Sequence, residues 1–210
     1  MLFRSETALI RLVDQLFFDL DENKVTGLIF IDYKKAFDLI NHGILLAKLR
    51  GYDIGERDLK LIGNYLTGRS QYVNIDGTLS QSKPVHLGVP QGSVLGPLLF
   101  LVFINDLPTA VGHSVVDIYA DDTTLSYSSD VRNAPDTLST SLQREIDEVV
   151  RWSNENKMIL NGSKTKCMMV TGKRLVKNMD EDQLLLKING KRLEQVTITL
   201  RNFAKRYPNV

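Results

Sequence analysis

Three aspartates stand where ordinary structure gives them little to do. Asp32 closes the apolar run of residues 27–31. A carboxylate at the end of a buried strand is desolvated and needs a cation or hydrogen-bond donors to remain charged. The plainer reading is a cap for the next element. Asp121 and Asp122 are adjacent, between the β-prone runs 115–119 and 123–127. One Asp in a turn is common because Asp tolerates turn geometry. Two in succession repel each other unless a cation neutralises them. Hard divalent cations such as Mg²⁺ take oxygen ligands from a few carboxylates and from substrate phosphates. Two such ions can clamp the attacking and leaving oxygens of a phosphoryl transfer. His42, His86 and His113 are scattered, without metal-ligand spacing.

The elements that must position these groups are legible as patterns. Leu9, Ile10, Leu12, Val13, Leu16 and Phe17 recur at helical spacing. Residues 25–31 have the dense apolar character of a buried strand. Residues 44–49 and 59–66 read as short helices separated by Gly51 and Gly55. Residues 69–75 and 81–87 read as strands around Asp76-Gly77, with a loop longer than a two-residue hairpin. Ser93 caps an expected helix from 94 to about 107, with Pro97 in its first turn, where a missing N–H is harmless. Leu138, Leu142, Ile146, Val149 and Val150 mark a long amphipathic helix. Residues 166–170 and 184–188 look like late strands, with a turn at Asn189-Gly190. Helices and strands do not alternate regularly, which favours α+β with an antiparallel sheet over a doubly wound parallel one.

The chain has 210 residues, 43% of them hydrophobic, and a net charge of +1. That suits one globular domain and does not by itself announce a nucleic-acid partner. One local basic stretch is present: Lys157, Lys164, Lys166, Lys173, Arg174 and Lys177. A solvated face is an equally good account of it. Cys167 is the single cysteine, so no internal disulfide can form, which fits a reducing compartment. No secretory signal is visible. The longest apolar stretch, 94–104, falls well short of the ~20 residues a membrane span needs. The expectation is an intracellular protein without a membrane association, nuclear or cytoplasmic.

Four segments carry a resemblance. Phe30-Ile-Asp-Tyr-Lys-Lys-Ala-Phe-Asp38 resembles the first palm motif of reverse transcriptases. Leu87-Gly-Val-Pro-Gln-Gly-Ser-Val-Leu-Gly-Pro-Leu-Leu-Phe100, followed by Ile104-Asn-Asp-Leu-Pro108, is similar to the second. Tyr119-Ala-Asp-Asp122 resembles the third, and Leu160-Asn-Gly-Ser-Lys-Thr165 the fourth. A lone Tyr-x-Asp-Asp is a weak signal; four motifs in order are a strong one. The wording is most similar to non-LTR (LINE-like) retrotransposons. The resemblance implies a palm-type antiparallel sheet backed by helices. It implies RNA-directed DNA polymerase activity on an RNA template, a DNA primer and deoxynucleoside triphosphates, with two Mg²⁺ ions, or Mn²⁺ in their place. By position it makes Asp32, Asp121 and Asp122 the metal ligands. It puts Phe37 at a steric gate against the 2′-hydroxyl, and Gln91 and Gly92 against the incoming nucleotide and template. Tyr119 flanks the primer end, and Lys164 is a candidate general acid for pyrophosphate departure, with Lys166 its nearest competitor. Core packing is the plainer reading of Phe37, and a solvated lysine that of Lys164. Asp38, Asp106 and Asp117 read as structural, and Trp152 as core.

The pattern also departs from the family. Residues 1–198 are expected to hold the end of the fingers and the palm, with fingers and thumb largely missing. Residues 199–210 read as a divergent tail. Without a covering element, apolar surface around 184–196 is expected to be exposed. Two other readings stand beside the polymerase. A different two-metal phosphoryl-transfer enzyme, such as a nuclease, would need neither Gln91-Gly92 nor Phe37. A catalytically inactive retroelement remnant would at most bind nucleic acid.

Overall fold

Residues 24–31 are buried almost throughout, so the strand they form is apolar on both faces. This is β1, Lys24–Ile31, the centre of a five-stranded sheet. The computed structural model describes residues 5–130, 134–172 and 184–196. Lys173, Arg174, Lys177 and the 199–210 tail lie outside the described residues.

The elements form two compact units. The first holds the sheet, made of β1, β6 (Val115–Tyr119), β7 (Asp122–Asp130), β8 (Lys166–Val170) and β11 (Glu194–Gln195). The strand order is β11-β8-β1-β7-β6. β1 is antiparallel to β7 and β8, and β6 to β7; β11 alone runs parallel, beside β8. One face packs on α1 (Ser5–Asp21), where Leu12, Leu16 and Leu20 meet Leu28, Phe30, Met168 and Val170. The other packs on α6 (Ala134–Glu155), whose Leu138 and Leu142 are fully buried against Gly27. Cys167 is buried opposite Ile29, and that burial pushes its thiol up to about 11.

The second unit covers residues 33–107 and 153–159. It contains α2 (His42–Gly51), α3 (Glu56–Leu66) and α4 (Leu95–Ile104). The Asn41 side chain caps α2 by accepting from the Ile44 N–H at 3.1 Å. Phe100, Phe103, Ile40, Leu45 and Leu66 are among its fully buried side chains. Lys48 donates to the Phe103 carbonyl and to Asp106, both at 2.6 Å, which gives Asp106 its structural role.

Several expectations change. The 69–87 region is a ribbon of four short strands: β2 (Arg69–Gln71), β3 (Asn74–Ile75), β4 (Thr78–Leu79) and β5 (Lys83–Val85). Its tip is a two-residue turn after all, because Ile75 pairs with Thr78 and both Asp76 (φ 47°) and Gly77 (φ 83°) are left-handed. The helix from 94 does not continue to 107. Pro108 has no N–H to give the Ile104 carbonyl, so the chain breaks and restarts as α5, Leu107–Ala110. Of residues 184–188, only Lys187–Ile188 is a strand (β9), paired with Lys191–Arg192 (β10). Leu184, Leu186, Ile188 and Leu193 are buried, so the apolar surface expected to lie open is covered except at Leu185. Among the described residues no helix is long and apolar enough to cross a membrane.

A Cβ on Gly27 would come within 2.4 Å of Leu142 Cδ1. Gly27→Ala is therefore expected to destabilise the first unit by about 1–3 kcal/mol through overpacking. The urea midpoint of purified protein checks this; an unchanged midpoint would mean Leu142 can repack freely.

Candidate active site

The register of the sheet decides which side chains meet. The β1–β7 ladder runs from Lys24↔Asp130 to Ile31↔Thr123. Pairing stops there, with Asp32 and Asp122 the next residue on either chain segment. Across the other edge of β7, Tyr119 pairs directly with Asp122. Facing residues in an antiparallel pair share a side of the pleat. Tyr119 and Asp122 therefore share one side of the sheet, the α1 face, and Asp32 follows β1 at the same end. The next row contains Asp117, Thr124, Phe30 and Lys166. There Asp117 pairs with Arg11 of α1 at 3.7 Å. Lys166, the nearest competitor of Lys164, pairs with Glu194.

Asp121 lies in the two-residue turn between β6 and β7, beside Ala120. Ala120 sits at φ 53°, a region that suits glycine better than alanine. A hairpin loop of two residues demands such a φ at its first position. Asp122 is thus the first residue of β7 rather than part of the tip.

The electrostatics follow. The Asp122 carboxyl is raised above the ordinary value, first by partial burial, then by the charges of Asp121 and Asp32. Among the described residues no lysine or arginine ion-pairs with any of the three. In kind, the donor set fits a hard divalent cation: carboxylate oxygens, mutually repelling and uncompensated. In number it is open. Among the described residues no three His, Cys, Asp or Glu side chains converge tightly enough to enclose an ion by themselves. Water or substrate oxygens would have to complete the shell.

Lys164 is exposed, in the turn that follows Asn161. That turn holds Asp32 by its main chain, through two contacts the sequence did not reveal: Thr165 Oγ1 accepts from Asp32 N–H, and Asn161 N–H donates to the Asp32 carbonyl. Glu145, buried on α6, likewise accepts from the N–H groups of Gly112 and His113 and anchors the approach to β6.

Phe37, Gln91 and Gly92 belong to the second unit. Phe37 is half-buried and stacks on Phe100 with ring centroids 4.5 Å apart. Its carbonyl accepts from Val89 N–H at 3.0 Å, and the Ile40 carbonyl from Gly88 N–H at 2.8 Å. Gln91 Nε2 donates to Asp38 Oδ1 at 2.7 Å, which gives Asp38 a definite structural task. Gly88 has to be glycine: its φ is 78°, and a Cβ would come within 2.6 Å of the Asp38 carbonyl oxygen. Arg69 donates to the Gly88 carbonyl at 2.6 Å, with His42 Nε2 2.8 Å from the same oxygen. Gly92 has φ 76°, and no protein atom would stand within 4 Å of a Cβ there.

A largely antiparallel sheet with carboxylates clustered at one end of its strands has the plan of a polymerase palm. Residues 3–205 match the model of the reverse transcriptase (RNA-dependent DNA polymerase) family, and the chain belongs to that family. It is 35% identical over 150 residues to the RNA-directed DNA polymerase from mobile element jockey of Drosophila melanogaster, covering 68% of this chain and 16% of that one. It is 31% identical over 169 residues to the probable RNA-directed DNA polymerase from transposon X-element of the same organism, covering 78% and 18%. The chain thus spans less than a fifth of the length of these relatives. Telomerase from Candida tropicalis, solved in complex with a fragment of telomeric RNA, has a similar fold: TM-score 0.59, 14% identity, 80% of this chain and 30% of that one. The C-terminally truncated apo telomerase of that organism gives 0.56, 16%, 78% and 35%.

Because the folded-state Asp122 value is raised, its contribution to stability is fully present below the unfolded value of about 3.9. It is lost as pH rises through the folded value. Asp122→Asn is therefore expected to stabilise the fold near neutral pH by about 0.5 kcal/mol, discounted for solvent screening. No gain is expected near pH 3. Urea titrations at the two pH values check this, and an equal gain at both would rule out charge repulsion as the cause.

Proposed function

We propose that this chain is the palm segment of an RNA-directed DNA polymerase of the non-LTR retrotransposon kind. Residues 1–198 would hold the palm and the end of the fingers, and 199–210 a divergent tail. The reading rests on one observation above all: Asp32 and Asp122 are the next residues past the last β1–β7 pair, Asp121 lies in the turn beside them, and the charges of Asp121 and Asp32 both act on Asp122. Three like charges drawn together without a protein cation make sense if a divalent ion joins them.

The reaction is attack of a primer 3′-hydroxyl on the α-phosphate of a deoxynucleoside triphosphate, with pyrophosphate leaving and the order of addition set by an RNA template. Asp32, Asp121 and Asp122 would hold Mg²⁺, or Mn²⁺ in its place. When bound, a pair of such ions supplies positive charge to the attacking and leaving oxygens. The remaining work falls to the chain. Phe37, held by its stacking on Phe100, would crowd a 2′-hydroxyl and so admit deoxynucleotides. Gln91, fixed by Asp38, and Gly92, with its open left-handed backbone, would approach the nucleotide and template. Tyr119 would flank the primer end, and Lys164 would give a proton to the departing pyrophosphate.

In a polypeptide carrying the fingers and thumb of a matched relative, Asp121→Asn is expected to slow single-turnover primer extension by roughly 10³-fold or more. A rate within tenfold of the parent would remove Asp121 from the metal-binding set. In the same polypeptide, Phe37→Val is expected to raise the ribonucleotide-to-deoxynucleotide ratio of kcat/KM, since that ratio reports differential transition-state binding. An unchanged ratio would return Phe37 to core packing.

A further inference from the structure

Of the sheet-borne aspartates, Asp32 is the one the ladder does not hold. Pairing of β1 with β7 ends at Ile31↔Thr123, and pairing with β8 ends at Phe30↔Lys166. Two contacts from one turn take over. The Asp32 N–H donates to Thr165 Oγ1 at 3.2 Å, and the Asp32 carbonyl accepts from the Asn161 N–H at 2.8 Å. The turn is itself braced. Thr165 N–H and Lys164 N–H both donate to the Asn161 carbonyl, at 2.8 and 3.0 Å, and Ser163 Oγ donates to Asn161 Oδ1 at 2.8 Å. Thr165 is completely buried.

We infer that Thr165 is a positioning residue: its hydroxyl fixes the Asp32 peptide and thereby aims the Asp32 carboxylate at the cation. The inference rests on the proposed role of Asp32 as a metal ligand. The chemistry singles out the hydroxyl. A threonine oxygen offers acceptor lone pairs, and a valine methyl of the same shape offers none. Without the oxygen, the part-buried Asp32 N–H faces a methyl and is driven to find another partner. Rotation of the Ile31–Asp32 peptide gives it one, and rotation swings the carboxylate away from Asp122. Groups that orient metal ligands act in this indirect way. Asn161 serves through its main chain, so its side chain matters less directly.

The test is Mn²⁺ binding to the purified 210-residue chain, followed by the electron paramagnetic resonance signal of free Mn²⁺. Amide exchange at Asp32 is followed by NMR. Thr165→Val, Thr165→Ser and Asp32→Asn are compared with the parent. The expected result is that Thr165→Val weakens Mn²⁺ binding roughly 10–100-fold and speeds exchange of the Asp32 amide. Thr165→Ser, which keeps the oxygen and loses the methyl, should match the parent in both. Parent-like Mn²⁺ binding by Thr165→Val, with binding lost in Asp32→Asn, overturns the inference and leaves the metal reading standing. Parent-like binding by Asp32→Asn overturns the metal reading, and the inference falls with it. If Thr165→Val does not melt cooperatively, Thr165→Ser decides. Weakened Mn²⁺ binding there would show that the buried methyl, not the hydroxyl, is what matters.

Discussion

Asp19 carries a carboxylate into the contact between α1 and the sheet, where it is 2% exposed. A buried charge must be given donors, and the donors here come from three places: Gln15 on α1, Thr26 on β1 and Ser128 on β7. Thr26 and Ser128 are partners in the β1–β7 ladder. They converge on Asp19 in this register and in no other. A slip of one residue would turn one hydroxyl to the opposite face and strand the carboxylate. The same slip, carried along the strand, would send Asp122 to the α6 face while Asp32 stayed where it is. A polar lock at one end of β1 thus sets the alignment of the acidic residues at the other. Glu145 does comparable work on the far side, tying the segment before β6 to α6.

In the second unit the constraint is backbone packed on backbone. Residues 37–40 and 88–91 are joined by two main-chain hydrogen bonds and by Gln91–Asp38. Gly88 lets the two segments touch. Arg69 and His42 converge on its carbonyl, so a conformation reached through a left-handed glycine is held from both ends. Phe37 inherits that rigidity: its carbonyl and its ring are both engaged.

The parts that could be read in advance were those whose pattern is local. The strand at 24–31, the hairpin around Ala120-Asp121, the amphipathic run from Leu138 and the four family motifs each announce themselves within a dozen residues. What could not be read depends on distant partners. Pro108 ends a helix through a missing N–H four residues downstream of Ile104, although the apolar pattern runs on past the break. The parallel pairing of β11 is set by where residues 194–195 return along β8, and two-residue strands carry no periodicity. Leu184 and Leu186 are buried by tertiary packing that no local signal reports. Thr165 lies inside the fourth motif beside the charged Lys164. A hydroxyl that acts on another residue's peptide leaves no mark in charge or spacing. Asp38 was legible as structural, but its partner Gln91 was not.

The sheet also contains its own reporter. Cys167 is the only thiol of the chain. It lies buried opposite Ile29, with its titration pushed up to about 11. The thiolate is the reactive form, and both its scarcity at neutral pH and its inaccessibility keep this sulfur inert while β8 stays on β1. Alkylation of the native protein therefore counts excursions in which that edge of the sheet lets go. The rate would measure, strand by strand rather than for the molecule as a whole, how often the turn that grips Asp32 loses its footing.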